Sequence, residues 1–157
     1  MAQFARERSI EYDAVVLLRP DVWFHVDIDL PRREFPLPER TVFVPSFDTE
    51  GKSGTRTNDR FAYGSVTAMR VMMNRIATLM DPSGGNEVDR VNSELVLGLH
   101  LQANDITVQT FTFPMARIRL TGDIPFVDHG RVRTACNSGT DHVACDMVKL
   151  DYKFPNR

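Results

Sequence analysis

The sequence predicts an α/β fold in which a mixed β-sheet is flanked by helices. A continuous apolar run at residues 14–18 is typical of a strand that is covered on both faces of a sheet. Apolar side chains then recur at helical spacing over residues 69–80, and residues 107–113 alternate as a half-buried strand does. Since strands and helices follow one another along the chain, the pattern favours a layered arrangement of one sheet with helices packed on it.

The remaining elements are assigned in chain order. Residues 4–10 have the pattern of a helix that leads into the first strand, and residues 41–46 and 60–64 are short and extended. Three prolines within residues 31–38 predict an extended surface connection. Residues 47–56 are rich in glycine, serine and charge, which predicts a loop.

Two helices are predicted in the second half of the chain. The first begins near Ser65 or Thr67, either of which is a suitable cap, and ends at the proline- and glycine-containing segment 81–85. The second covers residues 93–102, with Ser93 as its cap and Glu94 placed favourably in the first turn. The apolar stripe of the first helix is interpreted as core; its members are Met69, Met72, Met73, Ile76, Leu79 and Met80.

Composition limits the class of protein. A chain of 157 residues is expected to form a single domain, residues 1–157, with a final strand at 117–120 and a tail at 123–157 whose pattern is weak. Its formal net charge of −2 gives no general attraction to nucleic acid. It contains no apolar run of the ~20 residues that a membrane span needs. Its amino terminus is too charged for a signal peptide, so a soluble chain is expected.

Charged residues follow the first strand directly. Pro20 ends the hydrogen-bond ladder and holds Arg19 extended, so that Asp21 lies just beyond the carboxyl end of the strand. In open α/β sheets this is the edge at which ligands bind. A D-x-D pattern follows at Asp27 and Asp29, where the alternative is the solvent-facing side of an extended segment.

Four segments occur in a fixed order: YDAVVLLRPDVWF from Tyr12, NDRFAYGS from Asn58, SELVLGLHL from Ser93 and ARIRLTGD from Ala116. Together they resemble the carboxyl-terminal part of nucleotide-sugar-dependent glycosyltransferases of the capsular and lipopolysaccharide type, and their eukaryotic relatives. The resemblance covers roughly residues 8–123. It implies a partial GT-A-like, Rossmann-related domain and transfer of a hexosyl group from a nucleotide-diphosphate donor to a hydroxyl of a glycan or another acceptor.

The resemblance also implies a role for the residues after the first strand. Asp21 matches the acidic residue that meets a metal ion and the sugar-nucleotide diphosphate, and Asp29 is a second candidate ligand. The expected cofactor is Mn²⁺ or Mg²⁺, which would neutralise the leaving group. Arg19 stands at the first position of the family's D-x-D signature, and its guanidinium suits direct pairing with phosphate oxygens instead.

The other implied site residues come from the next two motifs. Asn58 and Asp59 match the sugar end of the pocket, and Gly64 would allow the backbone to approach the ligand. Glu94 is the candidate general base, with Asp59 as a second catalytic candidate and His100 as a weaker substrate-binding one. We expect the Arg19–Asp21 edge, the Asn58–Asp59 turn and the start of the Glu94 helix to converge on one cleft.

Each of these residues also has a structural interpretation. Asp21 would then cap a turn, Asn58 and Asp59 would form a polar turn, Glu94 would face the helix dipole, and His100 would pack in the helix. A separate set of soft metal ligands would hold structural zinc, although its spacing is unusual: His129, Cys136, His142 and Cys145. The two cysteines would otherwise be bridged or, in the interpretation that we favour, buried as free thiols.

Two alternative functions follow. The nucleotide-binding βαβ units of the resembled enzymes precede the matched part, and about ten residues precede the first strand here. The chain is therefore expected to be either part of a longer transferase or a non-catalytic module that binds carbohydrate or protein. A small zinc-stabilised interaction domain is the other alternative. A sheet edge left open by the missing half would favour a homodimer.

Overall fold

A computed structural model describes residues 11–24, 35–49, 56–75, 92–111 and 115–118, together with Ile124 and Asp128. Six strands and two helices lie within these residues: β1 Val15–Leu18, β2 Val22–Phe24, β3 Thr41–Pro45, β4 Phe61–Gly64, α1 Val66–Met73, α2 Ser93–Ala103, β5 Thr107–Phe111 and β6 Met115–Arg117. Several predictions fall outside the described residues: those for residues 4–10, for Asp27 and Asp29, for Ile76, Leu79, Met80 and the 81–85 segment, and for the four candidate zinc ligands of the tail.

The described strands form a mixed four-stranded sheet in the order β1-β4-β3-β5. β4 is antiparallel to both of its neighbours, whereas β3 and β5 are parallel and paired from Thr41 with Thr107 to Pro45 with Phe111. The prediction of a mixed sheet with flanking helices is therefore confirmed. β1, β3 and β5 run in one direction, so their carboxyl ends and the start of β4 meet at one edge, which we call the polar edge.

The two faces of this sheet are covered differently. Helices α1 and α2 pack on one face, where Val42, Val44 and Ala62 meet helix side chains that include Met69, Met72, Leu97 and Leu101. The opposite face is mostly aromatic and contacts side chains of the antiparallel pair β2–β6. The described residues thus form three layers, in which β3 and β4 are buried while three of the five residues of β5 are exposed.

Strand β1 agrees with the prediction of cover on both faces. Val15 and Leu17 pack against the helix-side core, and Ala14 and Val16 pack against the aromatic core. However, β1 is an edge strand of the described sheet, and its last residue, Leu18, is 50% exposed. The strand is therefore half-buried rather than central.

Helix α1 begins as predicted and ends early. Ser65 is its cap, because its Oγ accepts a hydrogen bond from the amide of Ala68. The helix ends at Met73, before the 81–85 segment, and the next residue, Asn74, is its C-cap. Asparagine favours such positions because its side chain competes with helical backbone hydrogen bonds. Met73 itself is exposed, so Met69 and Met72 carry the core stripe in the described residues.

Helix α2 agrees with its predicted span but has a different cap. The cap is Asn92, whose Oδ1 accepts hydrogen bonds from the amides of Glu94 at 3.0 Å and Leu95 at 3.1 Å. Ser93, the predicted cap, is instead the first helical residue. This correction matters for the site because Asn92 fixes the turn from which Glu94 projects.

Replacing Asn92 by alanine is expected to lower the free energy of unfolding by about 1 kcal/mol, since two helix amides lose their acceptor. The matched substitution Ser93→Ala, on the exposed neighbour, is expected to stay within about 0.5 kcal/mol of wild type. Urea denaturation of both variants tests this assignment. An equal or larger loss in Ser93→Ala would restore Ser93 as the functional cap.

The remaining strand predictions differ in detail. Residues 60–64 do form a strand, β4, which begins at Phe61. Of the last predicted strand, residues 117–120, the structure describes residues 117 and 118: Arg117 is the last residue of β6, Met115–Arg117, which pairs with β2, and Ile118 follows the strand. The predictions of a single domain and of a weakly patterned tail at 123–157 stay predictions.

Candidate functional site

The polar edge of the sheet gathers side chains that are far apart in sequence. They follow the carboxyl ends of β1 and β3, precede β4 or lie in the first turn of α2: Arg19, Asp21, Asp48, Asn58, Asp59, Arg60 and Glu94. Backbone bonds hold these segments together, from the Arg19 amide to the Arg60 carbonyl and from the Thr57 amide to the Glu94 carbonyl, both 2.9 Å. The structure thus brings the three predicted parts of the site to one place.

Arg19 and Asp21 form the outer, more exposed part of this edge. The guanidinium of Arg19 donates from Nε to Asp21 Oδ1 at 2.9 Å and from Nη2 to Asp21 Oδ2 at 2.7 Å. This two-point hydrogen bond lowers the pKa of Asp21 and raises that of Arg19, so the pair is fully charged at neutral pH. Both oxygens of Asp21 are therefore engaged by the arginine.

Asp59 lies deeper at the polar edge, with 7% of its side chain exposed. Its Oδ1 is 3.6 Å from Arg19 Nη1, an ion-pair distance that is too long for a hydrogen bond. Within the described part of the chain no hydrogen bond to this carboxylate is present. A buried carboxylate normally accepts several hydrogen bonds, so Asp59 has acceptor capacity left for a ligand.

Arg60 is the buried centre of the site. Its Nη1 donates to Asp48 Oδ2 at 2.6 Å and its Nη2 donates to Glu94 Oε1 at 2.9 Å. The guanidinium also lies 5.9 Å from the centre of the Phe47 ring, within range of a cation–π contact. Its Nε is fully buried and has no hydrogen-bond partner in the described structure. One cation therefore bridges two carboxylates from different segments.

The pKa of Glu94 is raised above its ordinary value. Burial is the largest cause, because it penalises the charged carboxylate, and the nearby negative charges of Asp48 and Asp59 act in the same direction. The positive charges of Arg60 and Arg56 oppose this shift. A carboxylate with a raised pKa is a stronger base than an ordinary glutamate, which suits it to take a proton from a hydroxyl. Perturbation of this kind is common at functional sites.

The shift of Glu94 has a consequence for stability. Because its folded pKa is raised, the protonated form favours folding; this contribution is complete below the ordinary pKa of glutamate and is lost as pH rises through the folded pKa. Glu94→Gln, which is neutral at every pH, is therefore expected to be more stable than wild type at neutral pH. The difference should vanish at about pH 4 or below.

Urea denaturation of both proteins across this pH range measures the difference directly. Glu39→Gln, which makes the same chemical change at an exposed position, is the control and should show no such pH-dependent gain. A Glu94→Gln protein that is less stable than wild type at neutral pH would contradict the prediction and show that the ion pair with Arg60 outweighs burial.

Asn58 is completely buried, and its side chain hydrogen-bonds to the backbone on both sides of the turn that precedes β4. Its Nδ2 donates to the Phe47 carbonyl at 3.0 Å, and its Oδ1 accepts from the Arg60 amide at 2.9 Å. These two bonds tie the loop after β3 to the turn before β4. In this arrangement Asn58 acts on the site by placing Asp59 and Arg60, and contact of its own with a sugar stays a prediction.

Gly64 and His100 are not brought to the polar edge. Gly64 is at the opposite end of β4, where a Cβ atom would come within 2.8 Å of the Thr41 carbonyl oxygen, so its small size serves strand packing. His100 is buried in the second half of α2, and its Nε2 lies 2.8 Å from the Val71 carbonyl oxygen of α1. Both residues are explained by the packing of the fold rather than by ligand binding.

The sequence reasoning missed Asp48 and Arg60. Asp48 follows β3 as Asp21 follows β1, so the strand-end argument could have found it. Arg60 is part of the NDRF segment, but its two partners are 12 and 34 residues away, and no local spacing indicates such pairs. A further arginine, Arg117, makes a two-point ion pair with the buried Asp128 beside this region.

The ion-paired cluster contains more carboxylates than arginines: Arg19 and Arg60 contact Asp21, Asp48, Asp59 and Glu94. The positive charges of Arg56 and Arg117 also act on Glu94 from beside the cluster and offset part of this excess. No group of three or more histidine, cysteine, aspartate or glutamate residues suited to a metal ion occurs in the described residues. The described carboxylates would therefore need oxygens from a ligand to complete a metal site.

Comparison with known proteins gives no match: no family model matches the chain, and neither a curated protein nor a solved structure matches it significantly. Among the described residues, neither helix has the length and apolar character that a membrane crossing requires.

Proposed function

We propose that this chain is glycosyltransferase-like and takes part in moving a sugar from a nucleotide-diphosphate donor to a hydroxyl acceptor. The observation that carries the proposal is the convergence of Arg19, Asp59 and Glu94 at the polar edge of a mixed α/β sheet. Such an edge is the usual ligand-binding position in α/β proteins. The ordered resemblance of four segments to the GT-A-like enzymes supplies the reaction class.

Glu94 is the proposed general base. Its carboxylate accepts the proton of the acceptor hydroxyl, the oxygen forms a bond to the sugar's anomeric carbon, and the bond from that carbon to the nucleotide diphosphate breaks. Only 17% of its side chain is exposed, and Arg60 holds one of its oxygens, Oε1, which leaves the other available to a hydroxyl. Asp59, which has acceptor capacity left, binds sugar hydroxyls beside it.

Arg19 is the proposed partner of the diphosphate. It is 42% exposed, and its fork of donors matches phosphate oxygens as well as it matches Asp21. Once the phosphate takes over Arg19, the oxygens of Asp21 are released. Asp21, together with Asp29 as the second expected ligand, would then be able to hold Mn²⁺ or Mg²⁺ through carboxylate oxygens. When bound, the cation would stabilise the charge of the leaving diphosphate.

A divalent cation also suits the charge balance. A diphosphate brings further negative charge to a cluster in which two arginines contact four carboxylates. A cation that arrives with the donor would cancel this excess, so donor binding is proposed to be much weaker without Mn²⁺ or Mg²⁺.

The test is a thermal-shift screen of the purified chain against nucleotide diphosphates and nucleotide sugars, each with and without Mn²⁺. A ligand present at 100 times its dissociation constant should add about 2.7 kcal/mol of stability, which raises Tm by roughly 5–11 °C in a chain of this size. The shift is expected with Mn²⁺ and should be reduced in Arg19→Gln. Arg40→Gln, which changes an exposed arginine at the other end of the sheet, should keep it.

Asp21 separates the two ways of holding the diphosphate. If a cation on Asp21 is needed, Asp21→Asn loses the Mn²⁺-dependent shift; if Arg19 alone binds the phosphates, Asp21→Asn keeps the shift because it frees the arginine. A ligand that binds without any transfer in an assay with simple sugar acceptors would favour the alternative of a non-catalytic carbohydrate-binding module. The absence of a shift with every nucleotide tested would contradict donor binding.

A further inference from the structure

We propose that Arg60 is the positioning residue of the site: it fixes the carboxylate of Glu94 and, through Asp48, couples that carboxylate to the loop after β3. Its effect on catalysis rests on the proposed function, whereas its linkage of Glu94 to Asp48 does not depend on any activity. Arg60 belongs to neither the predicted catalytic set nor the predicted binding set.

The backbone of Arg60 is held from two sides. Its amide donates to Asn58 Oδ1 at 2.9 Å, and its carbonyl accepts from the Arg19 amide at 2.9 Å. The side chain therefore starts from a fixed point between the end of β1 and the start of β4. Because the backbone of Arg60 is fixed, the position of its guanidinium depends only on the torsions of the side chain, which its contacts with Asp48 and Glu94 restrain.

The guanidinium then connects two segments that make no other described ion pair with each other. Asp48 belongs to the loop after β3, and its φ of 58° places it in the left-handed region, which costs energy for a residue other than glycine. Glu94 belongs to the first turn of α2. Arg60 contacts them at 2.6 Å and 2.9 Å, with 7% of its own side chain exposed. Movement of either carboxylate is thus transmitted to the other.

Stability alone does not account for this arrangement. Buried ion pairs are often no more stabilising than apolar residues of similar volume, because desolvation offsets the attraction. The Nε of Arg60 adds a further cost, since it is buried without a partner. An apolar residue at this position would avoid both costs but could not orient two carboxylates. The geometry therefore fits a residue that sets the position of Glu94.

The experiment compares Arg60→Gln and Arg60→Lys with wild type and with Arg40→Gln. Arg40 is a matched control because it binds the carbonyls of Asn104 and Asp105 at the other end of α2 and does not contact Glu94. The first readout is the pH titration of the Glu94 side-chain carboxyl by carbon-13 NMR, assigned by the loss of its signal in Glu94→Gln. The second is amide hydrogen exchange at residues 47–49.

In Arg60→Gln the pKa of Glu94 is expected to rise, because the cation that contacts it is gone while burial and the charges of Asp48 and Asp59 persist. Arg56 and Arg117 are the described cations that still act on Glu94. Exchange at residues 47–49 is expected to become faster. Arg60→Lys keeps the positive charge, but its single ammonium group cannot bind two carboxylates in the fixed geometry of a guanidinium. The pKa of Glu94 should therefore rise less than in Arg60→Gln, while the restraint on residues 47–49 is lost. Arg40→Gln should change neither readout.

If the transferase activity is found, Arg60→Gln should lower kcat on the order of 100-fold with a much smaller change in KM, since Glu94 is misplaced. An unchanged Glu94 titration in folded Arg60→Gln, or loop exchange equal to that of Arg40→Gln, overturns the proposal. The NMR and exchange readouts need no activity. A wild type without transfer activity therefore contradicts the proposed function, while the two readouts still decide the role of Arg60.

Discussion

In the proposed transfer reaction, Glu94→Gln is expected to lower the rate by about two to four orders of magnitude while the protein stays folded. Glutamine keeps an oxygen for Arg60 Nη2, so the contact now measured at 2.9 Å can persist. It cannot, however, accept a proton from an acceptor hydroxyl. The loss should therefore fall on kcat, whereas donor binding, which depends on the Arg19 part of the site, should change little.

The measurement is the pH dependence of the transfer rate in wild type, Glu94→Gln and the exposed control Glu39→Gln. Wild type and the control should share an acidic limb in which the rate rises as Glu94 loses its proton, at a pH above that of an ordinary glutamate because its pKa is raised. The residual rate of Glu94→Gln should lack this limb. A glutamine variant with wild-type turnover would remove Glu94 from the mechanism and direct attention to Asp59.

Phe61→Ala is expected to lower the free energy of unfolding by about 3–5 kcal/mol, the largest stability effect that we predict. Phe61 is 1% exposed at the start of β4. Its ring makes edge-to-face contacts with Phe24 at 5.8 Å and with Phe111 at 6.1 Å between ring centres. Phe24 belongs to the β2–β6 pair, so Phe61 joins the small sheet to the large one. Truncation would lose both the buried area and the aromatic geometry.

Urea denaturation checks this value, with two further variants beside it. Phe61→Leu keeps most of the volume and should lose clearly less than Phe61→Ala, while Leu99→Ala, at an exposed position of α2, should stay within about 0.5 kcal/mol of wild type. A loss of less than about 1 kcal/mol in Phe61→Ala would mean that the aromatic face is not a tightly packed core.

The parts of the fold that sequence predicts well are those set by local patterns. The apolar run before Arg19 and the spacing of Met69 and Met72 follow the periods of a strand and a helix, so these elements were found. The convergence of Asp21, Asp59 and Glu94 was predictable because strand ends and helix starts share an edge in this class of fold.

Other parts were not predictable because they depend on competition or on distant partners. Asn92 and Ser93 are both good caps, and only the backbone geometry selects the first. Asn74 ends α1 although the apolar spacing continues beyond it. Gly64 has the composition of a ligand-binding turn, but its neighbour is a strand carbonyl. Arg60 is understood only through its two partners from other segments.

The parallel pairing of β3 with β5 has a consequence for how the chain folds. Its first pair joins Thr41 to Thr107, which are 66 residues apart (107 minus 41), whereas β3 and β4 pair over about twenty. Because loop closure becomes more costly with length, contacts between distant residues form late and slow the reaction. We infer that β1, β3 and β4 assemble first and that β5 completes the four-stranded sheet once α2 has reached it, while the β2–β6 pair, whose first residues are 95 apart (117 minus 22), forms later still. Because α2 directly precedes β5 in the chain, pairing of β5 with β3 also implies that α2, and Glu94 with it, has packed on the sheet.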